Sequence, residues 1–334
     1  MASQRPGTLL LTRSDVRRTL DMARCIDAVE RAFRLHGSGA ASPPAVASVH
    51  VPSGGFHVKA GVLASGTRSY FAAKTNGNFP GNPARHGLPT IQGTIVVCDA
   101  ERGTPLALLD SIEITALRTA AATAVAVRHL ARADASSVAI IGCGLQGAMH
   151  VEAISLVRQI GRLTLHDNDR KAAEELGRRV ASERQIPVTV ASSAREAAGH
   201  ADICVTCTTS TAFLLEAVDI APGTFVAGVG VDSERKRELA PDLLARSTVV
   251  VDVLSQCAAF GDLHHAIDAG AMSADDVHAE LGQIVAGVKT GRESPDEVIV
   301  FDSTGMALQD VAAAAVVLER ALELGLGTPV DFSA

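Results

Sequence analysis

The chain has no Trp, a single Tyr and only 3% aromatic residues in 334. Its interior must therefore be built from Ala, Val, Leu and Gly, small side chains that suit helices packed against sheets. No Lys/Arg-rich cluster is present and the formal net charge is -7, so the attraction that a nucleic acid or an anionic membrane requires is missing. Neither partner is expected. No apolar run reaches the ~20 residues that span a bilayer, and Met1 to Leu11 has no long apolar core before a small-residue cleavage site. The expectation is a cytoplasmic protein. A length of 334 residues suggests about two domains at roughly 150 residues each, self-sufficient without disulfide or metal staples.

Cysteine is scarce, with six in the chain. Cys98, Cys143, Cys204 and Cys207 lie in or beside apolar, β-branched stretches, the setting of reduced packing cysteines. Cys204-Val-Thr-Cys207 has the C-x-x-C spacing of redox and zinc sites. Within Ile203 to Thr208, however, an extended chain points residues three apart to opposite faces, so no metal site is expected.

What the chain does have is a change of pattern along its length. Helical periodicity runs from Ser14, the expected N-cap, through Val16, Leu20, Cys25, Ile26, Val29 and Phe33 to Gly37 and Gly39. From Pro44 to Asp110 short apolar runs broken by Gly, Pro and Asn predict a β-rich unit: Val46 to Val51, Phe56 to Leu63, Tyr70 to Thr75, Thr90 to Asp99 and Leu106 to Leu109. An Ala-rich helix, Ile114 to Ala131, carries the domain boundary. Strands and helices then alternate, with strands at Val138 to Cys143, Leu163 to His166, Val188 to Val190, Ala201 to Cys207, Thr224 to Val231 and Val249 to Val253. Near-continuously apolar strands in such alternation predict a parallel sheet covered by helices on both faces. A last strand, Val298 to Phe301, precedes a last helix, Ala307 to Leu324, expected to pack back onto the β-rich unit and make the first domain discontinuous.

Gly142-Cys-Gly144-Leu145-Gln146-Gly147 follows the strand Ser137 to Ile141 and opens a helix. Its glycines stand where a tight turn, close approach of a pyrophosphate and tight helix–strand packing exclude a side chain, and the helix N-terminal amides face the phosphates. Asp167, about 20 residues further on at the end of the next strand, is placed to accept the ribose hydroxyls and repel a 2′-phosphate. NAD is therefore favoured, with Arg170 keeping NADP open and an ordinary turn and cap as the plainer role of Asp167 to Asp169. Thr119, Thr208 and Val231 complete the candidate cofactor contacts.

Lys59 and Lys74 interrupt apolar strands, an expensive placement for an ammonium without an anionic partner, unless the strand is a solvated edge. His57 lies beside Lys59. Arg118, in a helix nearly free of other charge, has the fork to hold a carboxylate bidentately; an ion-pairing or capping arginine is the plainer alternative. Asp232 follows the strand Thr224 to Val231 at its carboxyl end and could exchange a proton with a substrate nitrogen. Asp302-Ser303-Thr304-Gly305 is a second such loop, which also reads as an N-cap for the last helix.

The segments Lys74-Thr-Asn-Gly-Asn78, Gly87-Leu-Pro-Thr90, Asp110 to Ala120, Gly142 to Gly147, Gly230-Val-Asp232 with Lys236-Arg-Glu-Leu239, and Phe301 to Gly305 together resemble the ornithine cyclodeaminase/μ-crystallin family over essentially the whole chain. The resemblance implies an α/β fold: a doubly wound Rossmann domain for NAD(P), residues 119–306, plus a discontinuous α+β substrate-binding and dimerisation domain, residues 1–118 with 307–334. It implies a homodimer, Lys74 and Arg118 as ligands of the substrate carboxylate, Asp232 with Lys74 as the catalytic groups, and Ser303, Thr304 and Gly305 beside the nicotinamide.

That family spans cyclodeaminases, alanine dehydrogenases, ketimine reductases and a hormone-binding crystallin, and fold does not choose among them. Where cyclodeaminases read Glu-Leu-Met-Pro and Pro-Pro-Arg, this chain reads His57-Val-Lys-Ala60 and Pro43-Pro-Ala45. An acid for a distal amine is missing and a lysine has appeared, which favours a small substrate or one with a second anionic group. The expectation is an NAD(P)-dependent amino-acid dehydrogenase or imine reductase acting at the α-carbon of a small 2-amino or 2-imino acid. Ornithine cyclodeaminase and a μ-crystallin-like binding protein are the alternatives.

Overall fold

The computed structural model describes residues 7–332. Met1 to Pro6, part of the stretch read above for a leader, and the last two residues of the expected first domain lie outside the described residues. No described helix is long and apolar enough to cross a membrane. The chain divides into two compact units: one runs to Arg118 and resumes at Met306, and the other is Thr119–Gly305.

The first unit is a seven-stranded sheet in the order Thr328–Val330, Thr8–Leu11, Pro105–Asp110, Ile91–Asp99, Arg68–Asn78, Gly54–Ser65, Ala45–Val51. Its centre is an antiparallel meander. The longest pair closes through the two residues Gly66-Thr67, and Gly66 at φ +60 supplies the left-handed conformation that a tight hairpin turn demands. One face is covered by the helix Ala307–Leu324, which also packs on the helix Met22–Gly37. Alanines along that last helix let it settle close to the strands, and Gly61 is part of the same fit: an added Cβ would lie 2.8 Å from Leu308. Phe33, Ile26, Tyr70, Ile95 and Leu109 are fully buried there, each worth about 1.5–3 kcal/mol relative to exposure for the aliphatic and Phe side chains.

The single opening helix expected from periodicity is two, Arg13–Thr19 and Met22–Gly37. Thr12, with Asp15 in a reciprocal capping box, starts the first, so Ser14 lies inside it; Asp21 caps the second through Arg24 N. The apolar stripe runs through both because Val16, Leu20 and Cys25 all face the core. A stripe records burial, and the polar caps record where the backbone breaks. The strands Thr8–Leu11 and Thr328–Val330 are too short to show a period.

The second unit is an eight-stranded parallel sheet ordered Ala279–Glu280, Thr248–Val251, Ile299–Asp302, Phe225–Gly228, Ile203–Thr206, Ser137–Ile141, Arg162–His166, Val188–Val190. Chain order reverses beside Ser137–Ile141, the switch point where a doubly wound sheet opens a crevice at its carboxyl edge. All residues of Ser137–Ile141, Ile203–Thr206, Phe225–Gly228 and Ile299–Asp302 are buried, as strands with helices on both faces require.

Candidate active site

In the first unit, Lys74 lies on a strand with a neighbour on each side, as does Lys59 on the adjacent strand, so neither is on an edge. The two are direct cross-strand partners. Lys74 is 4% exposed, and its Nζ lies 2.7 and 2.8 Å from the carboxylate oxygens of Asp310, itself 2% exposed. Arg118 brings Nε to 3.2 Å from Asp310 Oδ1 and donates from its terminal nitrogen to Gln309 Oε1 at 3.0 Å. Arg118 is thus ion-paired, and the partner comes from the last helix.

Burial pushes the Lys74 ammonium down to about 7; Asp310 opposes that fall, while Arg118 and Lys59 add to it. Burial acts to raise the Asp310 carboxyl, yet Lys74 and Arg118 hold it below the ordinary carboxylate range. Two buried cations sharing one anion form a cradle with positive charge left for a ligand carboxylate. Lys59 and His57 lie half-buried on the same sheet face; His57 Nδ1 shares a hydrogen bond with Ser48 Oγ at 3.0 Å. Asn76, next on that face, accepts from Ser111 Oγ at 2.6 Å and donates to Thr115 Oγ1 at 3.4 Å.

In the second unit the glycine turn fits a pyrophosphate on steric grounds. Gly142 has φ +102, and a Cβ there would stand 2.8 Å from the Cys207 carbonyl oxygen. A Cβ on Gly147 would overlap the Gly142 carbonyl oxygen, whereas Gly144 has nothing within 4 Å of its missing Cβ. Gly144 is the N-cap of the helix Leu145–Ser155 and supplies no side-chain cap, leaving first-turn amides for an anion. Leu145 is exposed and Gln146 half-buried. Asp167 Oδ2 accepts from Cys143 N at 2.7 Å and Oδ1 from Asp169 N at 2.9 Å, with lone pairs remaining for ribose hydroxyls. The cap of the next helix is Asp169 rather than Asp167. Arg170 turns its Nε to Glu174 at 2.9 Å.

The carboxyl-end loops of this unit are tied together by buried acids. Asp232 itself is 45% exposed and pairs with Lys236 Nζ at 2.8 Å; that ammonium also donates to the Gly230 carbonyl at 3.3 Å. Glu238 is fully buried and accepts from Thr208 N at 2.6 Å, Thr206 Oγ1 at 2.8 Å and Gly230 N at 2.9 Å. Asp262 in turn accepts from the amides of Glu238 and Leu239 at 2.8 and 3.0 Å. Asp252 gathers Ser303 and Gly305. Burial pushes Asp302 up to about 7, with Asp252 and Glu238 adding to the rise, and drives Asp262 well above its ordinary value. Val231 is buried, and Thr208 and Thr119 are half-buried.

The last helix is capped by Met306 without a side-chain bond, so Asp302, Ser303 and Thr304 do not serve as its N-cap. Cys204 and Cys207 are free thiols; Cys204 is on its strand and pushed up to about 12 by burial, and Cys207 lies just past the strand end. Among the described residues no His, Cys, Asp or Glu group is arranged to hold a metal ion.

Reading the sequence missed Asp310, Gln309, Asp252, Glu238 and Asp262. The available signal was an acid in an otherwise apolar context: Asp310 in an Ala/Val helix, Asp252 directly after Val249-Val-Val251.

The family model described as Ornithine cyclodeaminase/mu-crystallin family matches residues 7–325. An alanine dehydrogenase of Archaeoglobus fulgidus is 36% identical over 97% of this chain and 98% of its own. A solved archaeal alanine dehydrogenase, a dimer with bound NAD, superposes with a TM-score of 0.93 at 36% identity, covering 97% of this chain and 99% of that one. The Thermococcus litoralis Δ1-pyrroline-2-carboxylate reductase, solved with NADH and L-proline, gives 0.92 at 34% identity over 97% of this chain and 100% of its own.

Proposed function

The chain belongs to the ornithine cyclodeaminase/mu-crystallin family, and on that premise we propose that it is an NAD-dependent oxidoreductase moving a hydride to or from the α-carbon of a small 2-amino or 2-imino acid. The observation that carries this reading is the buried Lys74–Asp310–Arg118 group, a cradle whose surplus positive charge suits an amino-acid carboxylate. Lys59 and His57 are further substrate ligands in this proposal. Asp232 exchanges a proton with the substrate nitrogen, Lys74 serves both binding and proton transfer, and Ser303, Thr304 and Gly305 stand beside the nicotinamide.

Bound NAD would supply the hydride chemistry. The chain's own part is to hold it: the turn Gly142 to Gly147 for the pyrophosphate, Asp167 for the ribose, and Thr119, Thr208 and Val231 as further contacts. Engagement of Arg170 by Glu174 supports NAD over NADP. The dinucleotide-binding domain is the Thr119–Gly305 unit, and the other unit binds substrate and forms a homodimer. Support for the dimer comes from Ala45–Val51, exposed along its whole length with Val46, Val49 and Val51 outward, and from exposed Phe56 beside it. Six free thiols support a cytoplasmic location.

The test is oxidation of NADH with pyruvate, glyoxylate or oxaloacetate, each with ammonia or methylamine, and with cyclic imines. Turnover with any of them, abolished in Asp232→Asn while NADH still binds, is the expected result. Failure of all, with ammonia released from ornithine or lysine at catalytic NAD, would replace this reading with cyclodeamination; bound cofactor with silence in both assays would leave a binding protein.

A further inference from the structure

Asp252 directly follows the buried strand Thr248–Val251 and is itself fully buried. Its Oδ2 accepts from Gly305 N at 2.6 Å and Ser303 Oγ at 2.9 Å. Its Oδ1 accepts from Val253 N at 2.8 Å and from Thr304 Oγ1 and Cys257 Sγ at 3.3 Å. A backbone amide, which can only donate, sits on each oxygen, so the carboxylate is an acceptor toward the whole ring of partners. A serine hydroxyl has one proton and two lone pairs. With that proton committed to Asp252, Ser303 presents only lone pairs to anything else that reaches it, and Ser303 keeps 7% of its surface open.

Ser303 stands at the carboxyl end of Ile299–Asp302. In the sheet this strand lies beyond Ile203–Thr206 and Phe225–Gly228 from the glycine turn. A doubly wound sheet seats the second half of a dinucleotide on that side of the switch point.

We propose that Asp252 is a positioning residue that fixes the Ser303 hydroxyl as a hydrogen-bond acceptor, and that this acceptor takes an N–H of the nicotinamide carboxamide. The proposal rests on the dinucleotide reading above. A carboxamide offers a carbonyl and an amino group of similar size, and a wall that only accepts chooses between them. The choice sets the rotation of the carboxamide about its bond to the ring, and the contact anchors the ring edge that carries it. Gly305 N is held by the same carboxylate, so one buried acid governs both the polarity and the path of the loop.

The experiment is calorimetric titration of the full chain with NAD and with its 3-acetylpyridine analogue, in which a methyl replaces the amino group and the carbonyl remains. The unaltered protein should bind NAD about tenfold more tightly, the worth of one good hydrogen bond. Ser303→Ala should cut that ratio to about threefold or less by weakening NAD alone. Asp252→Ala removes the acceptor and frees the hydroxyl proton to turn outward, so it should close the gap as well, with circular dichroism reporting whether it folds.

Equal affinity of the unaltered protein for the two dinucleotides, or equal weakening of both by Ser303→Ala, overturns the proposal. A folded Asp252→Ala variant that keeps the tenfold ratio removes Asp252 from the role. Should that variant fail to fold, Ser303→Ala decides, since it deletes only a hydroxyl. If the unaltered protein binds neither dinucleotide, the cofactor reading itself fails and this proposal falls with it.

Discussion

Asp310→Asn replaces the one anion between two buried cations with a neutral group of the same shape. Breaking a buried pair by removing one partner costs about 3–5 kcal/mol, because the charges left behind are uncompensated. Here the cost should depend on pH. The folded Lys74 titrates near 7, below its ordinary value of 10.5. Between those values the unfolded chain holds a proton that the folded one has lost, so stability rises with pH through that window. Asp310 is the attraction that keeps the folded value from falling further; without it the window opens at lower pH. The variant should therefore gain stability relative to the unaltered protein from pH 6 to 7, and above pH 7 the Lys74 contribution should change equally in both. At about 1.4 kcal/mol per pH unit, a loss of about 4 kcal/mol at pH 6 should shrink to about 2–3 kcal/mol at pH 8. The assay is urea unfolding followed by tyrosine fluorescence. With no Trp in the chain, Tyr70 is the only strong emitter; its hydroxyl donates to Glu319 on the same helix as Asp310, at 3.2 Å. A loss under 1 kcal/mol, or one that does not shrink toward pH 8, would refute the account of a shared buried charge.

Gly144→Ala should leave the melting temperature nearly unchanged, since its Cβ meets nothing, yet weaken NAD binding at least tenfold by calorimetry; Gly147→Ala should lower stability by about 2 kcal/mol or more because its Cβ overlaps a backbone oxygen. Asp302 is held near 7, above the ordinary 3.8, so its contribution to stability is present below pH 4 and lost as pH rises through 7. Asp302→Asn, which cannot ionise, should gain on the unaltered protein by on the order of 2 kcal/mol between pH 5 and pH 8 in thermal melts, and an unchanged difference would remove this carboxyl from the pH response. Asp167→Ser should reduce the preference for NADH over NADPH at least tenfold in direct binding, by removing the repulsion of a 2′-phosphate.

Most of the parallel sheet was legible because strands such as Ser137–Ile141 and Phe225–Gly228 are apolar runs closed by a turn, whereas the two-residue edge strand Ala279–Glu280 carries no such run and was not expected. The glycine motif was legible because its spacing directly after an apolar strand is a local pattern, although the contact that excludes a side chain at Gly142 comes from the distant Cys207 carbonyl and only that at Gly147 is local. Lys74 and Arg118 could be singled out as charges in apolar surroundings, but their partner lies at Asp310, and no local rule links a strand near residue 74 to a helix at the far end of the chain. Glu238 and Asp252 were hidden for a related reason. Their oxygens are satisfied by amides and hydroxyls from three separate loops, an arrangement that exists only after the strands are side by side. The cap at Thr12 in place of Ser14 shows the smaller limit, where two hydroxyl residues flanking Arg13 satisfy the same pattern and geometry selects one.

The discontinuity of the first unit has a consequence for biosynthesis. Gly54–Ser65, Arg68–Asn78 and Ile91–Asp99 leave the ribosome well before the helix Ala307–Leu324 that covers them. At about 5–20 residues per second the delay is on the order of tens of seconds. Through that interval the nascent sheet carries Leu63, Ala72, Ile95 and Val97 without their cover and Lys74 without its anion, while Thr119–Gly305 is contiguous and can fold as it emerges. Any chain cut short before the helix Ala307–Leu324 would thus display a bare apolar strand surface to chaperones and proteases.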